Sequence, residues 1–332
     1  MKAILVHELG SIDNGKLVEI ADCKPGPGEV LIEVHAAPVN YVDIVQITGK
    51  YQFKPKLPYT PGKGPAGVVL GVGSGVTRCA IGDRVIGMNE HSGYAQQIVV
   101  AESDVYKLPD QLSFVDAGAM SLGFDTAWMA LHERARMKPG DIVLVLGATG
   151  AVGNAAVQLA KAMGAKVVLG AVTSPEKFAA VNAAGADAMV DLSRPNLRES
   201  LREQVFAATA GHGADIIIDP IGGEVFDAAM RATAWRGRVV ILGFAAGGIP
   251  TLKVNYLMLK NCEVSGMQIS DYRRRTPDLM QQCFDEIFRF YVEGKIKAPP
   301  SQTMALADYA RAMHMIESRQ TGKRLVLLPQ GA

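Results

Sequence analysis

Between Gly140 and Lys161 the chain reads GDIVLVLGATGAVGNAAVQLAK, a stretch that few folds can accommodate. A turn, Lys138-Pro139-Gly140-Asp141, leads into five apolar residues, Ile142 to Leu146. Their number and β-branched content predict a buried parallel strand. Gly147, Gly150 and Gly153 follow at a fixed step. The period then changes: Val152, Ala156, Leu159 and Met163 recur at steps of four, three and four, which is one face of a helix. Strand, glycine turn and helix in succession are the setting in which a glycine pattern predicts a dinucleotide site. The backbone there must turn sharply, come close to a pyrophosphate and aim the free N–H groups of a helix start at the anion. The pattern is GxxGxxG rather than GxGxxG, so its context carries the reading more than its spacing. Residues 142–160 are nineteen without a charge, the length of a membrane span. Thr149, Asn154, Gln158 and three glycines sit inside the run, however, and the change of period fits a strand and helix better.

Strand and helix signals keep alternating around this unit. After helix-like, small-residue segments at Ala117–Met120 and Ala127–Leu131, strands are expected at 142–146, 166–172, 187–190, 214–218 and 238–242. Helices are expected at 151–163, 175–183, 197–209 and 222–232. Such alternation means βαβ units and a parallel sheet covered on both faces. The residues before it read as β-rich: runs such as Val30–Val34, Gly67–Val72 and Tyr94–Val100 are separated by Pro25-Gly26-Pro27-Gly28, Pro61-Gly62 and Gly82-Asp83. Near the C-terminus, Asn261–Ile269 and Arg324–Leu328 read as strands, and Leu279–Tyr291 and Asp308–Glu317 as amphipathic helices. The expected organisation is an α/β chain with a β-rich domain over 1–122, a dinucleotide-binding domain over 123–264, and a return to the first domain over 265–332.

Charge and cysteine usage exclude several classes. Thirty-four basic against 33 acidic residues leave no electrostatic footprint for nucleic acid or an anionic membrane. The N-terminus, MKAILVHELG, lacks a signal-peptide core, because His7 and Glu8 interrupt it. Cys23, Cys79, Cys262 and Cys283 are scattered without CxxC spacing, as expected of a reducing cytoplasm. The six histidines, at 7, 35, 91, 132, 212 and 314, show no metal-ligand spacing.

Eight stretches together resemble a known family: VNYVDIVQITGKYQ (39–52), LPYTPG (57–62), GDRV (82–85), SGYAQQIVV (92–100), ATGAVGNAAVQLAK (148–161), SPEK (174–177), DPIGG (219–223) and GRVVILGFAAG (237–247). They resemble the medium-chain dehydrogenase/reductase superfamily, in its zinc-independent quinone oxidoreductase branch related to zeta-crystallin, over nearly the whole chain. The resemblance implies a GroES-like β-rich domain, a Rossmann domain with a doubly wound parallel sheet, and an active-site cleft between them. Zinc enzymes of the family carry a Cys after the position of Val39 and a His-Glu pair after that of Gly62. This chain has Asn40-Tyr41 and Lys63-Gly64 there, and the four-cysteine zinc lobe is missing. The implied activity is therefore metal-free reduction of a quinone or an α,β-unsaturated carbonyl by NADPH. Such acceptors take hydride readily, and the resulting oxyanion needs only hydrogen bonds. An enoyl-thioester reductase and a non-enzymatic, crystallin-like NADPH-binding protein remain as alternatives.

The resemblance also carries over site residues. Tyr51 is the candidate to stabilise or protonate the reduced acceptor, against a structural tyrosine under a loop. Asn40 and Tyr41 are candidate contacts at the nicotinamide or acceptor, and Asp43 a structural hydrogen-bonder. Thr126, Thr149, Gly150, Ala151 and Val152 are assigned to the cofactor. So are Phe244 and Ala245, with Ala246, in the loop over the nicotinamide, then Gly266, Met267 and Gln268, and Arg319. Gly266–Gln268 is also implied to lie on a strand that joins the sheets of a homodimer. NADPH is expected over NADH because Val172 stands where NAD-dependent relatives place an acid. Thr173, Ser174 and Lys177 follow as partners for a 2′-phosphate, while Leu192 replaces a tyrosine common at the adenine and Arg194 is a substitute cation. Lys63 is expected to be a solvated surface lysine, with selection of an anionic acceptor as its other reading; His91 is expected at the surface.

Overall fold

The structure, a computed structural model, describes residues 1–245 and 247–331. Ala246 lies outside the described residues. The chain divides into two compact units. Met1–Leu122, Thr276–Phe284 and Ala298–Ala332 form the first, and Gly123–Arg275 with Asp285–Lys297 the second.

The second unit is built on six parallel strands: β1 (Ile142–Leu146), β2 (Val167–Val172), β3 (Ala188–Asp191), β4 (Ala214–Asp219), β5 (Thr233–Ile241) and β6 (Glu263–Gly266). They hydrogen-bond in the order β3-β2-β1-β4-β5-β6. All five residues of β1 are buried, as a strand covered on both faces must be. The chain winds outward from β1 in both directions, so a crevice opens at its carboxyl end. The helix expected at 151–163 runs from Ala151 to Ala162.

Other expectations need adjustment. The strand expected at 238–242 starts at Thr233, because Thr233 already pairs with Ala214 and the register shifts before Arg238. Arg236, at φ +62°, lies in that irregularity. The segment 175–183 opens with a 3₁₀ turn, Pro175–Lys177, before the α-helix Phe178–Ala183. Only Glu263–Gly266 of the apolar run 261–269 pairs as a strand. Ile269–Arg275 is instead a helix, with the Gln268 side chain accepting from the Asp271 N–H at 2.8 Å. The short helix Asn255–Lys260 has no counterpart in the sequence reading.

The first unit is β-rich. Its seven-stranded sheet centres on Glu29–Pro38, which pairs antiparallel with Ala66–Val72, Gln97–Ala101 and the closing strand Arg324–Leu328. Val30, Ile32 and Val34 alternate into a core with Ile4, Val69, Ile98 and Leu325. Among the described residues, no helix is long and apolar enough to cross a membrane.

Candidate functional site

In the second unit, four strand ends bring most of the expected cofactor residues to one edge of the sheet. At the end of β1, Gly147 turns with φ +65° and its carbonyl accepts from the Gly150 N–H at 2.9 Å. Gly150 caps the helix without a side chain, so the N–H groups of Ala151, Val152 and Gly153 have no partner within the helix. Gly153 is what lets the helix sit so close to the turn: a Cβ there would lie 2.2 Å from the Gly147 carbonyl oxygen. Thr149 and Gly150 are exposed beside these groups. The turn is tied to β2 by Ala148 N–H donating to the Ala171 carbonyl at 3.1 Å. This arrangement fits a bound pyrophosphate.

Just past β2, Lys177 Nζ lies 3.5 Å from Thr173 Oγ1, both exposed. Ser174 Oγ donates at 2.6 Å to Glu176. The acid absent at Val172 is thus matched by one close by, because the turn Pro175–Lys177 brings the Glu176 carboxylate back to Ser174. Leu192 is buried, and exposed Arg194 lies 3.8 Å from Asp191. After β5, Phe244 is half-exposed and the Ala245 N–H donates to the Pro220 carbonyl at 3.1 Å. Beside it, Gly266 pairs with Ile241, and the Met267 N–H donates to the Ile241 carbonyl at 3.1 Å.

Thr126 lies on the helix Gly123–Met129, which packs along Ala151–Ala162. Sequence reasoning missed its neighbour Asp125, which forms a buried ion pair with Arg273 at 2.6 Å. It also missed Asp219 at the end of β4. That carboxylate is fully buried, burial holds its pKa up, and it accepts from the N–H groups of Ile221 and Gly222 at 2.8 and 2.9 Å. Its signal was an acid ahead of Pro-Ile-Gly-Gly at a strand end.

In the first unit, Asn40, Tyr51 and Lys63 belong to one polar cluster. The Asn40 side-chain oxygen accepts from Arg324 Nη2 at 2.7 Å, and its amide nitrogen lies 3.4 Å from the Lys63 carbonyl. Arg324 Nε also donates to the Ala119 carbonyl at 3.2 Å. Asp43, fully buried, accepts from the Asn40 N–H at 3.0 Å and the Tyr94 hydroxyl at 2.9 Å. Burial raises its pKa to about 6, against the pull of the Asn40 N–H and the Lys63 charge. Asp43 is thus the hydrogen-bonder the sequence suggests. Arg324 and Tyr94 were missed; a lone arginine opening an apolar strand was the only trace of the former.

Lys63 overturns its expectation as a surface lysine. It is 2% exposed, and its Nζ lies 2.5 Å from Glu90 Oε2 and 5.0 Å from the centre of the Tyr51 ring. Gly62 and Gly64, at φ +98° and +68°, turn the backbone on either side of it, and Glu90 supplies the counter-charge. Tyr41 is 55% exposed at the start of its helix, and His91 is exposed as expected. Arg319 is exposed and belongs to the first unit.

Residues 26–110 match the family model of the alcohol dehydrogenase GroES-like domain, and 151–285 that of a zinc-binding dehydrogenase. A quinone oxidoreductase-like protein 2 homolog of Nematostella vectensis is 36% identical over 91% of this chain and 82% of its own. The crystal structure of a Pseudomonas syringae quinone oxidoreductase aligns with TM-score 0.89 and 31% identity, covering 99% of both chains. A mycobacterial structure complexed with NADPH aligns with TM-score 0.89 and 30% identity, covering 99% of this chain and all of that one.

The zinc named by one of these models does not fit the residues present. No three His, Cys, Asp or Glu side chains converge among the described residues. The positions that would hold the metal present an amide, Asn40, and the backbone beside an already buried ammonium, Lys63. A divalent cation there would face charge repulsion in a poorly solvated site.

Proposed function

The chain belongs to the medium-chain dehydrogenase/reductase superfamily, among its quinone oxidoreductase-type enzymes, and from that premise we propose that it is an NADPH-dependent, metal-independent reductase of quinones or α,β-unsaturated carbonyls. The observation that carries this reading is the Gly147–Gly153 turn at the carboxyl end of β1, with three helix-start N–H groups available to an anion. Bound there, the nicotinamide dinucleotide supplies the hydride. The N–H groups of Ala151, Val152 and Gly153 hold its pyrophosphate, with Thr149 and Gly150 alongside and Thr126 behind. Phe244, Ala245 and Gly266–Gln268 flank the nicotinamide, and Arg319 contributes a cation. Thr173, Ser174 and Lys177 take the 2′-phosphate; Glu176 opposes them, and its rotation away from Ser174 accompanies NADPH binding. On the acceptor side, Asn40 and Tyr41 orient the reacting groups and Tyr51 lines the pocket.

The reduced product needs a proton and hydrogen-bond donors at its oxygen, which the first unit's cluster supplies without a Lewis acid. We assign the enzyme to the cytoplasm, where its four cysteines remain free thiols. It acts as a homodimer: β6 is an edge strand, and Ile249, Val254, Met258 and Leu259 are exposed in the same unit. A monomer in light scattering at micromolar concentration would refute the dimer.

The function is tested by following NADPH oxidation with 1,4-benzoquinone, 9,10-phenanthrenequinone, a 2-alkenal and crotonyl-CoA after exhaustive chelation. Turnover with a quinone or the alkenal is expected. Turnover with crotonyl-CoA alone identifies an enoyl-thioester reductase instead, and tight NADPH binding without turnover a non-enzymatic binder.

A further inference from the structure

We propose that Lys63 is the general acid of the reaction, donating a proton to the acceptor's carbonyl oxygen, and that Glu90 returns the proton from solvent. The inference rests on the reductase reading above and adds the proton source to it. An ammonium carries three N–H donors. Among the described residues, Lys63 Nζ has a single hydrogen-bond acceptor, Glu90, and the face of the Tyr51 ring on another side. A cation that is 2% exposed thus meets one protein acceptor, which leaves N–H donors for a further acceptor oxygen. Stability does not explain such a group: burying an ion pair costs desolvation that an apolar side chain of similar size avoids. Keeping it makes sense where an oxygen arrives to accept the remaining hydrogen bonds. The surroundings specify that oxygen's bearer. Tyr51 packs edge-on against Phe53, ring centres 6.0 Å apart, and Phe53 is 46% exposed. An aromatic surface beside a buried proton donor suits a planar conjugated carbonyl.

The step balances. Hydride brings two electrons and one hydrogen to the conjugated system, and the carbonyl π pair moves onto oxygen. That oxygen takes a proton from Nζ, giving a hydroquinone or an enol. The neutral amine then recovers its proton through Glu90, whose side chain is 40% exposed to solvent and 2.5 Å from Nζ.

The experiment measures turnover with the acceptor best used by the wild type, NADPH affinity by fluorescence, and thermal melting for three proteins: wild type, Lys63→Ala and Glu90→Gln. Lys63→Ala is expected to lower kcat by about 100-fold or more, as loss of a general acid does, with NADPH affinity within about twofold. Ethylamine, which brings both charge and proton, is expected to restore at least about tenfold of that loss, and tetramethylammonium, which brings charge alone, is not. Wild-type kcat in Lys63→Ala overturns the proposal, as does equal rescue by both cations or rescue by neither. Should Lys63→Ala fail to fold, Glu90→Gln decides: a fall in kcat at unchanged NADPH affinity supports the relay, and wild-type kcat overturns it. A wild type inactive with every acceptor fails the reductase reading itself, whereas an active wild type with an unimpaired Lys63→Ala fails only this inference.

Discussion

Adding one methyl group at Gly153 should damage nucleotide binding more than it damages the fold. An alanine Cβ there would stand 2.2 Å from the Gly147 carbonyl oxygen, 2.8 Å from its carbon and 2.9 Å from the Ala148 Cα. All three are backbone atoms, so no side chain can swing aside. An ordinary carbon–oxygen contact is about 3.3 Å or longer, so turn and helix must part by about 1 Å. In an unobstructed helix, Gly→Ala gains about 1 kcal/mol. Overpacking costs about 1–3 kcal/mol, which outweighs that gain, leaving a net loss of up to about 2 kcal/mol. For a unit of this size the melting temperature then falls by up to about 8 °C. Binding suffers more, because the displaced turn carries the N–H groups offered to the pyrophosphate. A charge-assisted hydrogen bond is worth about 1.5–3 kcal/mol, so losing one raises the NADPH Kd about 10- to 100-fold. Gly71→Ala, on a strand of the first unit, is the control: its nearest new contact is 3.8 Å. Calorimetric titration with NADPH on both variants, alongside melting curves, gives the answer. Wild-type affinity in Gly153→Ala, or a larger loss in Gly71→Ala, would refute the reasoning.

Three further outcomes are expected. Asp43 holds its proton to about pH 6 when folded, against 3.8 in an unfolded chain. Its contribution to stability is therefore full below about pH 4 and lost as pH rises through 6, a gap of about 3 kcal/mol. Urea unfolding between pH 4 and 7 should show a dependence that flattens in Asp43→Asn, and an identical profile in that variant contradicts the assignment. Asp125→Ala removes an acidic partner from the buried Arg273 guanidinium and should destabilise the fold by up to about 3–5 kcal/mol. Pairing it with Arg273→Met should recover most of that cost, and no recovery would mean that the ion pair is not the cause. Lys177→Ala should raise the apparent NADPH constant about 10- to 100-fold with little effect on NADH, and an unchanged constant would show that the 2′-phosphate lies elsewhere.

Much of the fold was legible because its signals are local. The strand Ile142–Leu146 falls where five consecutive apolar residues place it, and the closing strand Arg324–Leu328 does likewise. The glycine turn was legible because the strand before it and the helix after it have different periods. What stayed hidden depends on partners distant in sequence. Lys63 reads as a surface residue until Glu90, twenty-seven positions later, supplies its counter-charge. The Asn40–Arg324 bond spans 284 positions, and nothing beside either residue announces the other. The helix Ile269–Arg275 was not expected, because ISDYRRR shows no apolar period and the strand read at Asn261–Ile269 reaches only its first residue. Glu176 was overlooked because a carboxylate's distance from Ser174 depends on a 3₁₀ turn that composition does not show.

Hydride transfer from NADPH to a conjugated carbonyl is tested most directly by label. Chelator-treated protein is given NADPH deuterated at the transferable C4 position and a 2-alkenal, and the saturated product is read by mass spectrometry and NMR. The predicted result is one deuterium on the β-carbon, with the α-hydrogen drawn from solvent. A product whose β-hydrogen comes from water, or NADPH that binds and is consumed by neither the alkenal nor any quinone, would contradict it.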